Sequence, residues 1–162
     1  MQFKGLALVA SAFVFAACGG SGESTPAAGT PADTTTAAAV TATMAPATGT
    51  THEVKMVMEN NMYHFVPANL TIKAGDAVKY VTVSGGPHNV VFDGAALSAA
   101  VKAQLDANFG PERMAGVELT SNMFMNAGEG ITISFANVPA GAYSFNCTPH
   151  LAMGMKGVIT VQ

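Results

Sequence analysis

Tyr143-Ser144-Phe145-Asn146-Cys147-Thr148-Pro149-His150-Leu151-Ala152-Met153-Gly154-Met155-Lys156-Gly157 is the most informative stretch of this 162-residue chain. An alternating, strand-like run leads into Cys147, and a second one leaves from Gly157 to Val161. The loop between them carries a thiol, an imidazole and a thioether on Cys147, His150 and Met155. Two strands joined by a side-chain-rich loop are one edge of a β architecture, and the rest of the chain reads the same way.

Short strands are expected at 53–59, 69–73, 77–83, 88–92, 131–135, 143–147 and 157–161, separated by turn clusters such as Ala74-Gly75-Asp76, Gly85-Gly86-Pro87 and the run from Asn137 to Gly141. Seven or eight such strands predict an all-β, Greek-key antiparallel sandwich. One segment departs from the pattern. Residues 95–109 place Ala96, Ala99, Ala100, Ala103 and Ala107 at helical spacing before Gly110-Pro111, which predicts a helix of about three turns inserted between strands.

The first third of the chain does not read as a folded domain. Residues 1–17 have one lysine, Lys4, followed by an apolar run, the pattern of a secretory signal peptide. The run ends Phe15-Ala16-Ala17-Cys18-Gly19, which resembles a bacterial lipobox with Cys18 as the lipidated residue. From there to residue 51 the chain is Ala, Thr, Pro, Gly and Ser, too poor in large apolar groups to offset ordering entropy. Residues 18–51 are therefore expected to form a lipidated, flexible tether with an r.m.s. span of roughly 30 Å. Residues 52–162 form the domain.

That domain holds six Lys/Arg and eight Asp/Glu. Near-neutrality argues against nucleic acid or an anionic membrane surface as partner. The chain has two cysteines. With Cys18 lipidated, Cys147 has no intrachain disulfide partner, and an unpaired thiol in an oxidising compartment calls for burial or metal ligation.

Upstream, Gly85-Gly86-Pro87-His88-Asn89-Val90-Val91-Phe92 supplies a second imidazole. One thiolate, two imidazoles and a thioether form the donor set of a type 1 (blue) copper site, in which soft sulfur suits Cu(I) and imidazole suits Cu(II). Zinc also accepts Cys and His, but the thioether favours copper. The domain is similar to the plastocyanin-like proteins of the cupredoxin family in Lys73-Ala74-Gly75-Asp76, in Pro87 to Asp93, in Asn126-Ala127-Gly128-Glu129 and in Tyr143 to His150, followed by Gly154-Met155-Lys156-Gly157. The resemblance implies a cupredoxin sandwich binding one copper ion. His88, Cys147 and His150 would be the strong ligands and Met155 the axial one, both imidazoles binding through the nitrogen nearer the backbone. Asn89 would tie together the two segments that carry the ligands.

His52 and His64 match no ligand position and are expected to be structural or solvent-exposed. Met56, Met58, Met123 and Met125 read as packing. Asp93, Asp106, Glu112 and Glu118 are scattered among Lys102 and Arg113, so the acidic docking patch of the plant proteins is expected to be missing. In the family arrangement the imidazole on the Cys loop lies nearest solvent. Here that is His150, with Leu151, Ala152 and Met153 as an apolar docking face. The reading is a monomeric, membrane-tethered, extracytoplasmic lipoprotein that shuttles single electrons between redox proteins and is not an enzyme. The alternative is a protein that stores or delivers copper to an oxidase.

Overall fold

The computed structural model describes residues 41–162. The leader at 1–17, Cys18 and the tether up to residue 40 lie outside the described residues. Eight strands form two four-stranded sheets. One sheet contains β1 (Thr51–Glu59), β2 (Met62–Val66), β4 (Ala77–Thr82) and β6 (Gly130–Ser134) in the order β2-β1-β4-β6. The other contains β3 (Asn69–Ile72), β5 (Val91–Phe92), β7 (Gly141–Asn146) and β8 (Lys156–Val161) in the order β3-β8-β7-β5.

The all-β sandwich class expected from the alternation is the one observed. Within it β1/β4 and β3/β8 run parallel, while the other pairs are antiparallel. Alternation reports which face of a strand is buried, not the direction of its neighbour.

Burial follows the pattern that makes these strands. On β1, Val54 and Met56 face inward and Glu53 and Lys55 outward. The centre of the sandwich is aromatic: Phe65, Tyr80 and Phe145 meet edge to face at centroid distances of 4.7 to 6.1 Å. Phe92, Phe109, Phe135 and Tyr143 continue this cluster towards the other end.

β2 is not among the strands expected from the sequence. Its signal is the pair Asn60-Asn61, both at positive φ (51° and 61°) between the partnered residues Glu59 and Met62. Asparagine tolerates that conformation, and two such residues make the tight hairpin turn that fits the twist of the flanking strands.

The helix α1 (Ala99–Ala107) is shorter than the expected 95–109. Ser98 caps it, and Asp93 Oδ1 accepts from the Ala95 amide at 2.9 Å, so residues 93–98 turn before the helix begins. Leu105 is its buried anchor. Buried Asn108, just past the helix, donates to the Ser134 and Ala136 carbonyls. The last part of the segment read as tether is held against the domain. The Ala45 amide donates to Asn108 Oδ1, Gln104 Nε2 donates to the Thr43 carbonyl, and the Thr48 and Gly49 amides donate to the Gly75 carbonyl.

Strand register sets two poles. Thr51 partners Ala77, Ala77 partners Ser134, and Gly141 partners Val161, so the chain enters the sandwich and finishes at one pole. Asn146, where β7 ends, partners Lys156, where β8 begins, at the opposite pole. The loop from Cys147 to Met155 closes that second pole.

Candidate metal centre

His88 reaches this pole through a two-residue bridge. Its amide donates to the Phe124 carbonyl at 3.0 Å and the Phe124 amide donates back at 2.8 Å. Cys147 is the first residue after β7. A short 3-10 helix, Thr148–Met153, then turns the chain so that His150 faces back towards Cys147. Three backbone bonds hold the loop. Cys147 N donates to Met155 O, His150 N to Cys147 O, and Met155 N to His150 O, at 3.1 to 3.2 Å.

Two glycines make this loop possible. Gly154 ends the 3-10 helix at φ 85°, a left-handed conformation that costs glycine little. A Cβ on Gly157 would collide with the Ala68 carbonyl and the Phe145 ring, so only glycine lets β8 pass there.

The donor atoms converge. Cys147 Sγ lies 3.6 Å from His88 Nδ1 and 3.5 Å from His150 Nδ1, and the three donors all lie within 4.8 Å of one another. Among the described residues this is the only group of three or more His, Cys, Asp or Glu donors so close together. Met155 is fully buried on the same loop. With metal–nitrogen bonds of about 2.0 Å and metal–sulfur bonds of about 2.3 Å, donors at tetrahedral to trigonal angles stand roughly 3.5–3.8 Å apart. The observed sulfur–nitrogen separations therefore fit a single first-row ion between them.

The protonation states fit as well. Burial lowers the pKa of both imidazoles, against the pull of the Ser84 carbonyl on His88 and reinforced at His150 by His88, which keeps their lone pairs free. Burial pushes the Cys147 thiol up, opposed by the backbone N–H groups of Asn89 and His150. A metal ion must therefore displace a proton from Cys147 as it binds.

The supporting groups are equally specific. His88 Nε2 lies 2.9 Å from the Ser84 carbonyl oxygen. Ser84 is itself tied to the backbone of Met58 through its hydroxyl. Asn89 Oδ1 accepts from the Thr148 amide at 2.7 Å, and Asn89 Nδ2 donates to Thr148 Oγ1 at 3.2 Å, which joins the His88 segment to the Cys147 loop. Sequence reasoning missed Tyr63, whose ring lies 3.7 Å from that of His150 at an interplanar angle of 12°. The alternation of Met62, His64 and Val66 against Tyr63 and Phe65 was the available signal.

The remaining candidates fall elsewhere. His52 Nε2 lies 2.8 Å from Asp76 Oδ2 at the opposite pole, and His64 lies 3.7 Å from Glu59. Met56 is core, whereas Met123 and Met125, read as packing, are exposed on either side of buried Phe124. Each turns outward because Phe124 takes the inward position of the bridge with His88. Of the four candidate ligands only His150 retains any exposure, 5 %. Leu151 and Met153 beside it are about half exposed, and Ala152 is exposed too.

Residues 52–162 match the family of copper binding proteins described as plastocyanin/azurin. The chain belongs to that family, and its cofactor is copper. More particularly, it is similar to the plastocyanins. It is 38 % identical over 117 residues to plastocyanin of Nostoc punctiforme, covering 72 % of this chain and 77 % of the relative. It is 38 % identical over 109 residues to chloroplastic plastocyanin of Chlamydomonas reinhardtii, covering 67 % and 66 %. Among solved structures, oxidised plastocyanin of Dryopteris crassirhizoma superposes with a TM-score of 0.53 at 27 % identity, covering 68 % of this chain and 99 % of that one. Copper-based electron transfer is the chemistry of this family.

Proposed function

We propose that this chain is a membrane-tethered, extracytoplasmic electron carrier. In this reading His88, Cys147 and His150 would hold one type 1 copper ion, with Met155 as a fourth, weaker ligand. The observation that carries the reading is the cluster of three buried donors, with one sulfur 3.5 and 3.6 Å from two Nδ1 atoms. Bound copper supplies a one-electron couple between Cu(I) and Cu(II).

The protein's own residues supply the rest. A thiolate and two neutral imidazoles are acceptable to both oxidation states, so the ligand set need not change. The backbone bonds of the Cys147–Met155 loop and the Asn89–Thr148 clasp restrain rearrangement. Burial of all four side chains would keep water from a bound ion. No covalent bond to a substrate is made or broken in this cycle, so the chain acts as a carrier rather than an enzyme.

Leu151, Ala152 and Met153 form an apolar face around His150. A small apolar face suits the brief, weak encounters of redox proteins. Electrostatic steering is slight for a near-neutral domain, so association with the redox partner depends weakly on salt. The anchor reading rests on the Phe15-to-Cys18 motif, and the mass of the mature protein tests it: a soluble product with unmodified Cys18 refutes it.

The deciding experiment is spectroscopy with potentiometry on the copper-loaded chain. An intense Cys-to-copper charge-transfer band, abolished by Cys147→Ser, and reversible one-electron cycling with copper retained are expected. A colourless tetragonal Cu(II) complex refutes the ligand assignment. Rapid loss of Cu(I) to an acceptor refutes the carrier role in favour of copper delivery.

A further inference from the structure

The two imidazoles of the centre are oriented by different means. His88 has both ring nitrogens engaged, Nδ1 towards Cys147 Sγ and Nε2 towards the Ser84 carbonyl, and this pair of contacts fixes the ring plane. His150 has Nδ1 at 3.5 Å from the sulfur, and no hydrogen bond to its Nε2 is found among the described residues. What meets His150 instead is Tyr63, across the face of the ring. Its ring is stacked face to face on His150, centroids 3.7 Å apart and planes within 12°.

Tyr63 is itself firmly placed. The Asn60-Asn61 turn fixes the register Met58↔Tyr63 and Met56↔Phe65. Phe65, two residues on and so on the same strand face, is anchored in the core against Phe145 at 4.7 Å. On the other side, Gly85 at φ 75° leaves the space: a Cβ there would collide with Met58 and come within 2.9 Å of the Tyr63 ring. The edge of the ring faces His88 at 6.2 Å.

We infer that Tyr63 is the positioning residue of His150: its stacked ring does for that imidazole what the Ser84 carbonyl does for His88, keeping Nδ1 aimed at the metal. The inference rests on the reading of His150 as a ligand. The contact acts through the ring face and not the hydroxyl, so phenylalanine serves as well as tyrosine and leucine does not.

The test uses Tyr63→Leu and Tyr63→Phe in the copper-loaded chain, reduced to diamagnetic Cu(I). Two quantities are read: the ring-proton resonances of His88 and His150, and the rate of Cu(I) release to a chelator. Tyr63→Leu broadens the His150 ring signals, leaves those of His88 sharp apart from the small ring-current change of a ring 6.2 Å away, and speeds release about three- to tenfold, the range an aromatic stack represents. Tyr63→Phe stays within about twofold of the unmutated protein.

The inference is overturned by an unchanged His150 in Tyr63→Leu, by Tyr63→Phe behaving like Tyr63→Leu, or by equal broadening of both histidines. A nuclear Overhauser contact between the two rings in the unmutated protein is the independent measurement, and its absence overturns the stack itself. A His150 ring that does not respond to copper in the unmutated protein refutes the ligand reading, and this inference falls with it. That failure is distinguishable, because it precedes any substitution.

Discussion

Asn89→Ala isolates the contact that holds the two halves of the centre together. Asn89 is 1 % exposed, and its side chain ties the His88 segment to Thr148 through Oδ1, 2.7 Å from the Thr148 amide. A short bond to a backbone amide contributes about 1–1.5 kcal/mol. The second bond, 3.2 Å from Nδ2 to the hydroxyl of exposed Thr148, is one that water replaces, and it contributes less than about 0.5 kcal/mol. The void left by the carboxamide adds about 0.5–1 kcal/mol. The sum, about 1.5–3 kcal/mol, corresponds to a fall in Tm of about 6–12 °C for a domain of this size. Thermal unfolding of the metal-free chain by circular dichroism measures it. Thr148→Val, which removes only the weaker bond, is the control and shifts Tm by no more than about 2 °C. An Asn89→Ala shift within about 2 °C, or a Thr148→Val shift as large as that of Asn89→Ala, refutes the reasoning.

Met155→Leu keeps the charge-transfer band and raises the reduction potential, by roughly 60 mV for each tenfold loss of preference for Cu(II), while Met153→Leu changes little; a swapped outcome in potentiometry overturns the axial assignment. Asp76 is held at about 2 by His52 and by the Lys73 and Thr50 amides, below the ordinary 3.8. Its contribution to stability is therefore complete above pH 4 and is lost as pH falls towards 2, and Asp76→Asn flattens the Tm-against-pH curve across that window. A wild-type slope retained in the variant counts against this. Leu151→Glu slows electron transfer to the physiological partner about fivefold or more with copper content unchanged, as stopped-flow kinetics would register; an unaltered rate removes Leu151 from the docking face.

How much of the centre was legible in the sequence depends on how local each part is. Cys147, His150 and Met155 share one loop, and their spacing is itself a structural constraint, so the donor types and the order of the candidate ligands could be read directly. Gly154 and Gly157 were visible as part of the same motif, though the reason for Gly157, the close passage of the Ala68 carbonyl, was not. The alternating strands were legible because burial on one face writes a period of two into the chain. The helix was legible as a helix, but its start was not, since Asp93 and Ser98 divide the preceding residues into a turn and a cap.

Contacts between segments distant in sequence left no such record. That β1 pairs with β4 and β3 with β8 in parallel follows from how the sheets assemble, not from any single strand. Residues 43–49 have the composition of a tether, yet they are held by Asn108, Gln104 and Gly75, partners remote in the chain. Tyr63 is remote in sequence from every candidate ligand, and the local alternation marks its strand face but not the stack on His150. The sequence by itself determined the donor set and the class of sandwich, because ligand chemistry and one-sided burial are properties of residue type and spacing. Only the tertiary structure decided how the second histidine meets the loop, what clasps the two together and which ring lies over His150, because these are contacts across space between strands that the chain keeps far apart.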